Sequence, residues 1–503
     1  MRRVAVAALA VATLLGATGC GLFGSADNGD RGPGNNQAEL SRYYGQSVTW
    51  SACEGSYQCA QYQVPLDYSN PAGESITIKM LKSPAKDPTK RLGSLVVNPG
   101  GPGGSGIEFA QYASGTISSS VLDQYDVIGF DPRGVAKSTP IECLDGPQTD
   151  QLIATLGAPA TATQEQRVVQ VSRELGANCH ERSPSLTPAI GTTAAARDMD
   201  ILRQLLGEDK LNFLGISYGS LLGLMYADQF SSRVGRFVLD GVIDPAISNA
   251  DLARGQANGF QVALARFIAD CPKHKDCPLP SGEAAGLNKI DSWLTTIATA
   301  PIPAQANRPL NRTLAVNGIV SSLYDENDGW PQLRPALAAG FKGNGKPLLE
   351  MVDSFTGREP DGSYRSNAVD ALYAVSCLDR PDRADAAQTH QFAQEWSTTA
   401  PTFGPELAWA NLPCATWPAP ASFVPHAVTA ATEIPVVLVG TRYDPATPYA
   451  WAEAVSKQLP NNRLVTYEDD GHTGYGDNSC VNRAVDEFLI AGQPPTPGAT
   501  CPG

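Results

Sequence analysis

The chain has 503 residues, 42% of them hydrophobic and 17% charged, with a formal charge of −14. That is the balance of a folded globular protein, long enough for one large domain or two moderate ones. Its acidic excess, without a basic stripe to displace counterions from phosphates, argues against nucleic acid as a partner.

Met1, Arg2 and Arg3 precede an apolar run from Val4 to Leu15, which suits a signal-peptide core and is too short to span a bilayer. Ala17, Thr18 and Gly19 lead into Cys20 and resemble the lipobox of bacterial lipoproteins, with alanine where that motif most often has leucine. Residues 1–19 are therefore expected to be a signal peptide. Cys20 would be the lipidated first residue of a protein anchored to a membrane without crossing it. Secretion after ordinary cleavage is the alternative, and no other membrane contact is expected. Residues 20–45 are expected to be a flexible tether, because 21–38 are rich in Gly, Asn and Asp and lack an apolar period.

Of the eleven cysteines, setting Cys20 aside leaves an even number in an exported chain, so disulfides are expected. They fall into neighbouring couples: Cys53 with Cys59, Cys143 with Cys179, Cys271 with Cys277, Cys377 with Cys414, and Cys480 with Cys501. A zinc site is not expected. There is no C-x-x-C, and His274 is a lone histidine beside Cys271 and Cys277.

From about residue 76 the chain shows short β-type runs ending in glycine turns: "SITIKML", "GSLVVNPGG", "YDVIGFDPRG", "LNFLGISYG", "RFVLDGVIDP" and, much later, "IPVVLVGTRYD" and "RLVTYEDDGH". They are apolar at successive positions, as central strands covered on both faces must be. Helical patterns separate them. "AAARDMDILRQLL", for example, carries apolar residues at helical spacing and stops at Gly207. This alternation predicts an α/β fold with a mainly parallel sheet. From 246 to 400 the strand signals fade, so a helical cap is expected to interrupt one α/β domain made of residues 46–245 and 401–503. Such covers usually select substrates.

The chemistry-bearing residues lie at predicted strand ends. "GISYGS" sets Ser217 between Gly215 and Gly219, after a strand and before a helix, as a nucleophile on a sharp turn requires. The pentapeptide alone is weak in a glycine-rich chain, so its partners decide. A general base and an orienting acid should follow in the order Ser, Asp, His. His472 in "EDDGHTGYG" follows the last strand-like run, and Asp444 ends the one before. Asp469 and Asp470 are rivals of the right type, but reach the imidazole awkwardly from two and three residues away. "VVNPGGPGGSG" supplies a glycine loop after a strand, from which Gly101 or its neighbour and Tyr218 would offer backbone N–H groups to an oxyanion.

These segments, together with "FDPRGVAKS" and the long stretch from "GTTAAARDMD" to "GVIDP", closely resemble the actinobacterial tripeptidyl aminopeptidases, exported serine exopeptidases related to the prolyl aminopeptidases. The resemblance runs from about residue 45 to the end. It implies the α/β-hydrolase fold, with Ser217 as nucleophile, Asp444 as acid and His472 as base, and neither metal nor cofactor. Ala136 departs from it where the motif has glycine, and Ser220 where threonine is common. An exopeptidase also needs a carboxylate for the substrate's free ammonium. Candidates are Asp379, Glu326 and Glu108, with Asp379 preferred because its Cys-x-Asp segment resembles one in the family's cover. A monomer acting on peptides is expected. An esterase or lipase with the same triad is the alternative, since a fold does not fix a substrate. A non-catalytic binding protein on this scaffold is disfavoured by the intact triad positions.

Overall fold

The computed structural model describes residues 37–503; residues 1–19 and Cys20 lie outside them. Ten strands form one sheet: β1 (Ser51–Cys53), β2 (Tyr57–Pro65), β3 (Ser75–Ser83), β4 (Gly93–Asn98), β5 (Tyr125–Phe130), β6 (Leu211–Ile216), β7 (Val234–Asp240), then β10 (Val436–Tyr443), β11 (Asn462–Asp470) and β12 (Ala499–Pro502). β8 (Ile302–Gln305) and β9 (Arg308–Leu310) form a separate hairpin. The sheet order is β1-β2-β3-β5-β4-β6-β7-β10-β11-β12. The pairs from β1 to β5 are antiparallel, and all those from β5 to β12 are parallel. This is the expected α/β-hydrolase architecture.

The apolar runs follow from burial on both faces. In β4, Val96 packs on one side with Ile128, Phe213 and Leu438, whereas Leu95 and Val97 join Val127, Leu214 and Val437 on the other. A central strand is thus apolar at successive positions, not at alternate ones. Within the span expected as a tether, Gln37–Tyr44 instead forms a helix. Its aromatic pair fixes it: Tyr43 is buried, and the Tyr44 hydroxyl donates to Asp200 at 2.7 Å.

"FDPRG" proves to be a brace. Arg133 is fully buried and donates to both oxygens of Asp198 at 2.6 and 2.7 Å, and to the carbonyls of Pro65, Leu66 and Ala189. Ala136 has φ of +43°, so glycine, with no Cβ, would suit that position better.

Between β7 and β10 the chain leaves the sheet and builds a helical cap with its own core, including Phe260, Phe267, Leu294, Ile319, Leu333 and Phe403. The helix Gly404–Ala410 lies past residue 400, and the sheet resumes only at Val436. All five expected disulfides are formed. Such bonds belong to an oxidising compartment, so the chain is exported. Among the described residues no helix is long and apolar enough to cross a membrane.

Candidate active site

At the end of β6 the backbone turns sharply at Ser217, which takes φ +57° and ψ −121° before the helix Tyr218–Gln229 begins. Both flanking glycines are required by space. A Cβ on Gly215 would sit 2.3 Å from the Gly219 carbonyl oxygen, and one on Gly219 would sit 2.7 Å from that of Asn98. Ser217 N–H donates to Asp240 O of β7 at 2.8 Å, and Ser220 Oγ–H donates to Ser217 O at 2.6 Å. The strained turn is therefore held from both sides.

The loop after β4 lies directly on this turn. Gly100 has φ of +101°, and a Cβ there would meet Ile216 O at 2.6 Å, Ser217 Cβ at 2.8 Å and Tyr218 N at 3.1 Å. Asn98 Oδ1 accepts from Gly100 N at 3.0 Å and fixes the loop's start. Only bare backbone fits so close to the serine.

Asp444 follows β10, and His472 follows β11. The Nδ1 of His472 lies 2.9 Å from each oxygen of the Asp444 carboxylate. That carboxylate also accepts from Ala446 N at 2.9 Å and from Thr447 N and Oγ1 at 2.8 Å each. With the Thr473 N–H at 3.4 Å, five donors hold the buried carboxylate in place. Nε2 of His472 is buried with no hydrogen-bond partner among the described residues. The ring's Cε1 stands 3.0 Å from where a Cβ of Gly241 would be, at the strand end next to Ser217. Burial pulls the histidine pKa down, but the charge and hydrogen bond of Asp444 and the charge of Asp240 outweigh it and leave it raised. The cap takes part as well. Tyr324 O accepts from His472 N at 2.8 Å, and the Tyr324 ring meets the imidazole edge-on at 5.2 Å.

A strained serine, a glycine loop against the next backbone N, and a histidine gripped through Nδ1 with Nε2 unused are the elements of acyl transfer. Residues 400–501 match the family described as TAP-like protein. The chain is 33% identical over 482 residues to serine protease Hip1 of Mycobacterium tuberculosis, covering 91% of each chain. It is 34% identical to carboxylesterase B of the same species, covering 93% of this chain and 92% of the other. It is 29% identical to tripeptidyl aminopeptidase of Streptomyces lividans, covering 90% and 86%. The chain belongs to the tripeptidyl aminopeptidase-like serine peptidases of the α/β-hydrolase fold.

In this peptidase a cavity of about 310 Å³ opens beside Gly101 and Tyr218, under the cap helices, with walls that include Leu221, Phe355 and Tyr373. Of the three carboxylates expected for the substrate amine, only Asp379 lines it. Asp379 is 2% exposed and accepts from Thr192 N at 2.8 Å and Thr192 Oγ1 at 2.5 Å; burial raises its pKa to about 6. Glu326 instead sits outside the cavity, beside Asp469 and Asp470, and burial with those two charges pushes it up to about 7. Glu108 is exposed on the helix Gly106–Gln111. Asp470 is paired with Arg266, and Asp469 accepts from Tyr467 Oη at 2.8 Å, so neither holds His472.

Two buried residues escaped sequence reasoning. Asp240, at the end of β7, accepts from Gly474 N at 3.0 Å and Tyr475 N at 2.7 Å, and so shapes the histidine loop. Its Oδ1 has no hydrogen-bond partner among the described residues, and burial raises its pKa to about 7. Arg380, in "SCLDRPD", lines the cavity next to Asp379. Neither is marked in the sequence, because only the tertiary fold buries these charges.

Proposed function

We propose that this peptidase releases short peptides from the free N-termini of its substrates by acyl transfer through Ser217, His472 and Asp444. The observation that carries the reading is the imidazole held by a carboxylate on Nδ1, with Nε2 left as an unused acceptor and the ring beside Gly241, at the end of the strand next to that of Ser217. Nε2 takes the Ser217 hydroxyl proton as Oγ attacks the substrate carbonyl carbon, while Asp444 maintains the Nδ1–H tautomer and stabilises the imidazolium. The charge that develops on the carbonyl oxygen is received by backbone N–H groups at Tyr218 and Gly101. The C–N bond breaks, the proton on Nε2 passes to the leaving nitrogen, and the C-terminal part departs. Water then attacks the acyl-enzyme and yields its proton to Nε2, which returns it to Oγ as the acyl peptide leaves. None of these steps uses a metal or an organic cofactor.

We assign the substrate's α-ammonium to Asp379, since it shares the cavity with Gly101 and Tyr218. The names of the Hip1 and Streptomyces relatives support a peptidase. The deciding experiment compares free and N-acetylated tripeptidyl naphthylamides on the wild type and Ser217→Ala, with product mapping by mass spectrometry. Free peptides should be cleaved and acetylated ones resisted, with no turnover by the variant. Equal cleavage of both would refute the exopeptidase reading.

An esterase is the second reading. The carboxylesterase-named relative and the largely apolar cavity favour it, and faster turnover of p-nitrophenyl esters than of any free peptide would establish it. For localisation, lipidation of Cys20 is our reading. A wild type that carries no radiolabelled palmitate would leave simple secretion instead.

A further inference from the structure

Arg380 is 4% exposed, yet its guanidinium makes one hydrogen bond among the described residues, from Nε to Ile247 O at 3.1 Å. Its Nη2 is buried without any partner. The carboxylates around it are committed elsewhere. Asp382 accepts from Asn249 N at 2.9 Å and Ala250 N at 3.0 Å, and Asp244 from Ala246 N and Gln458 Nε2 at 2.9 Å each. Asp379 holds Thr192. Arg133 in the same protein shows what a structural buried arginine looks like, with every nitrogen hydrogen-bonded. A desolvated guanidinium with unused donors is costly unless something supplies acceptors, and burial accordingly lowers the pKa of Arg380.

We propose that Arg380 recognises the main-chain carbonyl of the substrate's N-terminal residue, forming with Asp379 a two-charge clamp for the free end of a peptide. This rests on the exopeptidase reading above. The two side chains are sequence neighbours that line one cavity. A peptide's first residue presents an ammonium and, one carbon away, the oxygen of its own carbonyl, so a carboxylate beside a guanidinium is its complement. A substrate carboxylate is a poorer match, because it would be repelled by Asp379. Forming these bonds moves no proton and breaks no covalent bond.

The test uses the full-length enzyme with Arg380→Met and Arg380→Lys, an Ala-Ala-Pro naphthylamide, a matched peptide beginning with Glu, and p-nitrophenyl butyrate, which has neither ammonium nor amide. Fluorophosphonate labelling of Ser217 and thermal melting report whether the site and fold persist. Loss of a charge-assisted hydrogen bond should raise KM for the alanyl peptide about 10- to 100-fold in Arg380→Met, with kcat little changed. The peptide-to-ester ratio of kcat/KM should fall by the same factor, and Arg380→Lys should recover part of it. A parallel loss of peptide, ester and labelling would mean that Arg380 only supports the fold, and would overturn the proposal. So would an unchanged KM, or a loss confined to the Glu peptide. If the wild type cleaves acetylated and free peptides equally, the exopeptidase reading itself fails, whatever the variants do.

Discussion

Replacing Gly100 by alanine probes the closest approach in the site. The new Cβ would lie 2.6 Å from Ile216 O and 2.8 Å from Ser217 Cβ, both parts of the serine turn that cannot swing aside. Ordinary contact begins near 3.4 Å, so the loop must retreat by about 0.8 Å. A hydrogen bond of about 2.9 Å from Gly101 to an oxyanion would stretch to about 3.7 Å, where it no longer counts as one. Loss of one such donor lowers kcat by about 10²- to 10³-fold, and the positive φ adds ~1–3 kcal/mol of backbone strain. Gly207 separates the two effects: it has φ of +74° with nothing within 4 Å of its Cβ position, so Gly207→Ala should carry strain and leave kcat alone. The assay is steady-state hydrolysis of a peptide naphthylamide, with thermal melts of all three proteins. A folded Gly100→Ala enzyme with kcat within threefold of wild type would refute the oxyanion role of this loop.

His472 must be neutral to accept the serine proton, and its pKa is raised, so kcat/KM should fall as pH drops through a midpoint above the usual histidine value of about 6.5. An acid limb below that value would contradict the Asp444 pairing. Asp240→Asn keeps an oxygen for Gly474 and Tyr475 but cannot ionise. The wild-type carboxyl, raised to about 7, binds a proton more readily folded than unfolded, so its stability declines from about pH 4 to 7. The variant should match wild type near pH 4 and exceed it by up to ~4 kcal/mol at pH 8 in denaturant melts; parallel pH profiles would rule this out. Removing the Cys377–Cys414 bridge, which spans 37 residues, should cost about 4 kcal/mol of stability, and the effect on KM should exceed that on kcat because Cys414 lines the cavity. Melting and kinetics of the double serine variant check both.

The central strands could be read from sequence because burial on both faces leaves little but Val, Leu, Ile and Phe in them. β1 and β2 could not. They form an antiparallel edge, with polar residues such as Gln58, Gln61 and Gln63 among the apolar ones, and carry no such run. β12 is short and ends in Cys501 and Pro502. Ser217, Asp444 and His472 could be read because strand ends in a fixed order define them. Arg380 and Asp240 could not, because a charged residue reveals its function only through what surrounds it. "LDRPD" has the composition of a solvated turn. The helix of residues 37–44 was hidden by a polar flank, although its two tyrosines marked it.

The backbone bond from His472 N to Tyr324 O joins the cover to the sheet, as the Arg266–Asp470 pair does nearby. Tyr324 belongs to the cover, and His472 to the sheet. A displacement of that edge of the cover would take the acceptor from the histidine's own amide and the aromatic wall from its ring. The histidine is thus shared between the two layers: the sheet holds its imidazole through Asp444, and the cover holds its amide through Tyr324.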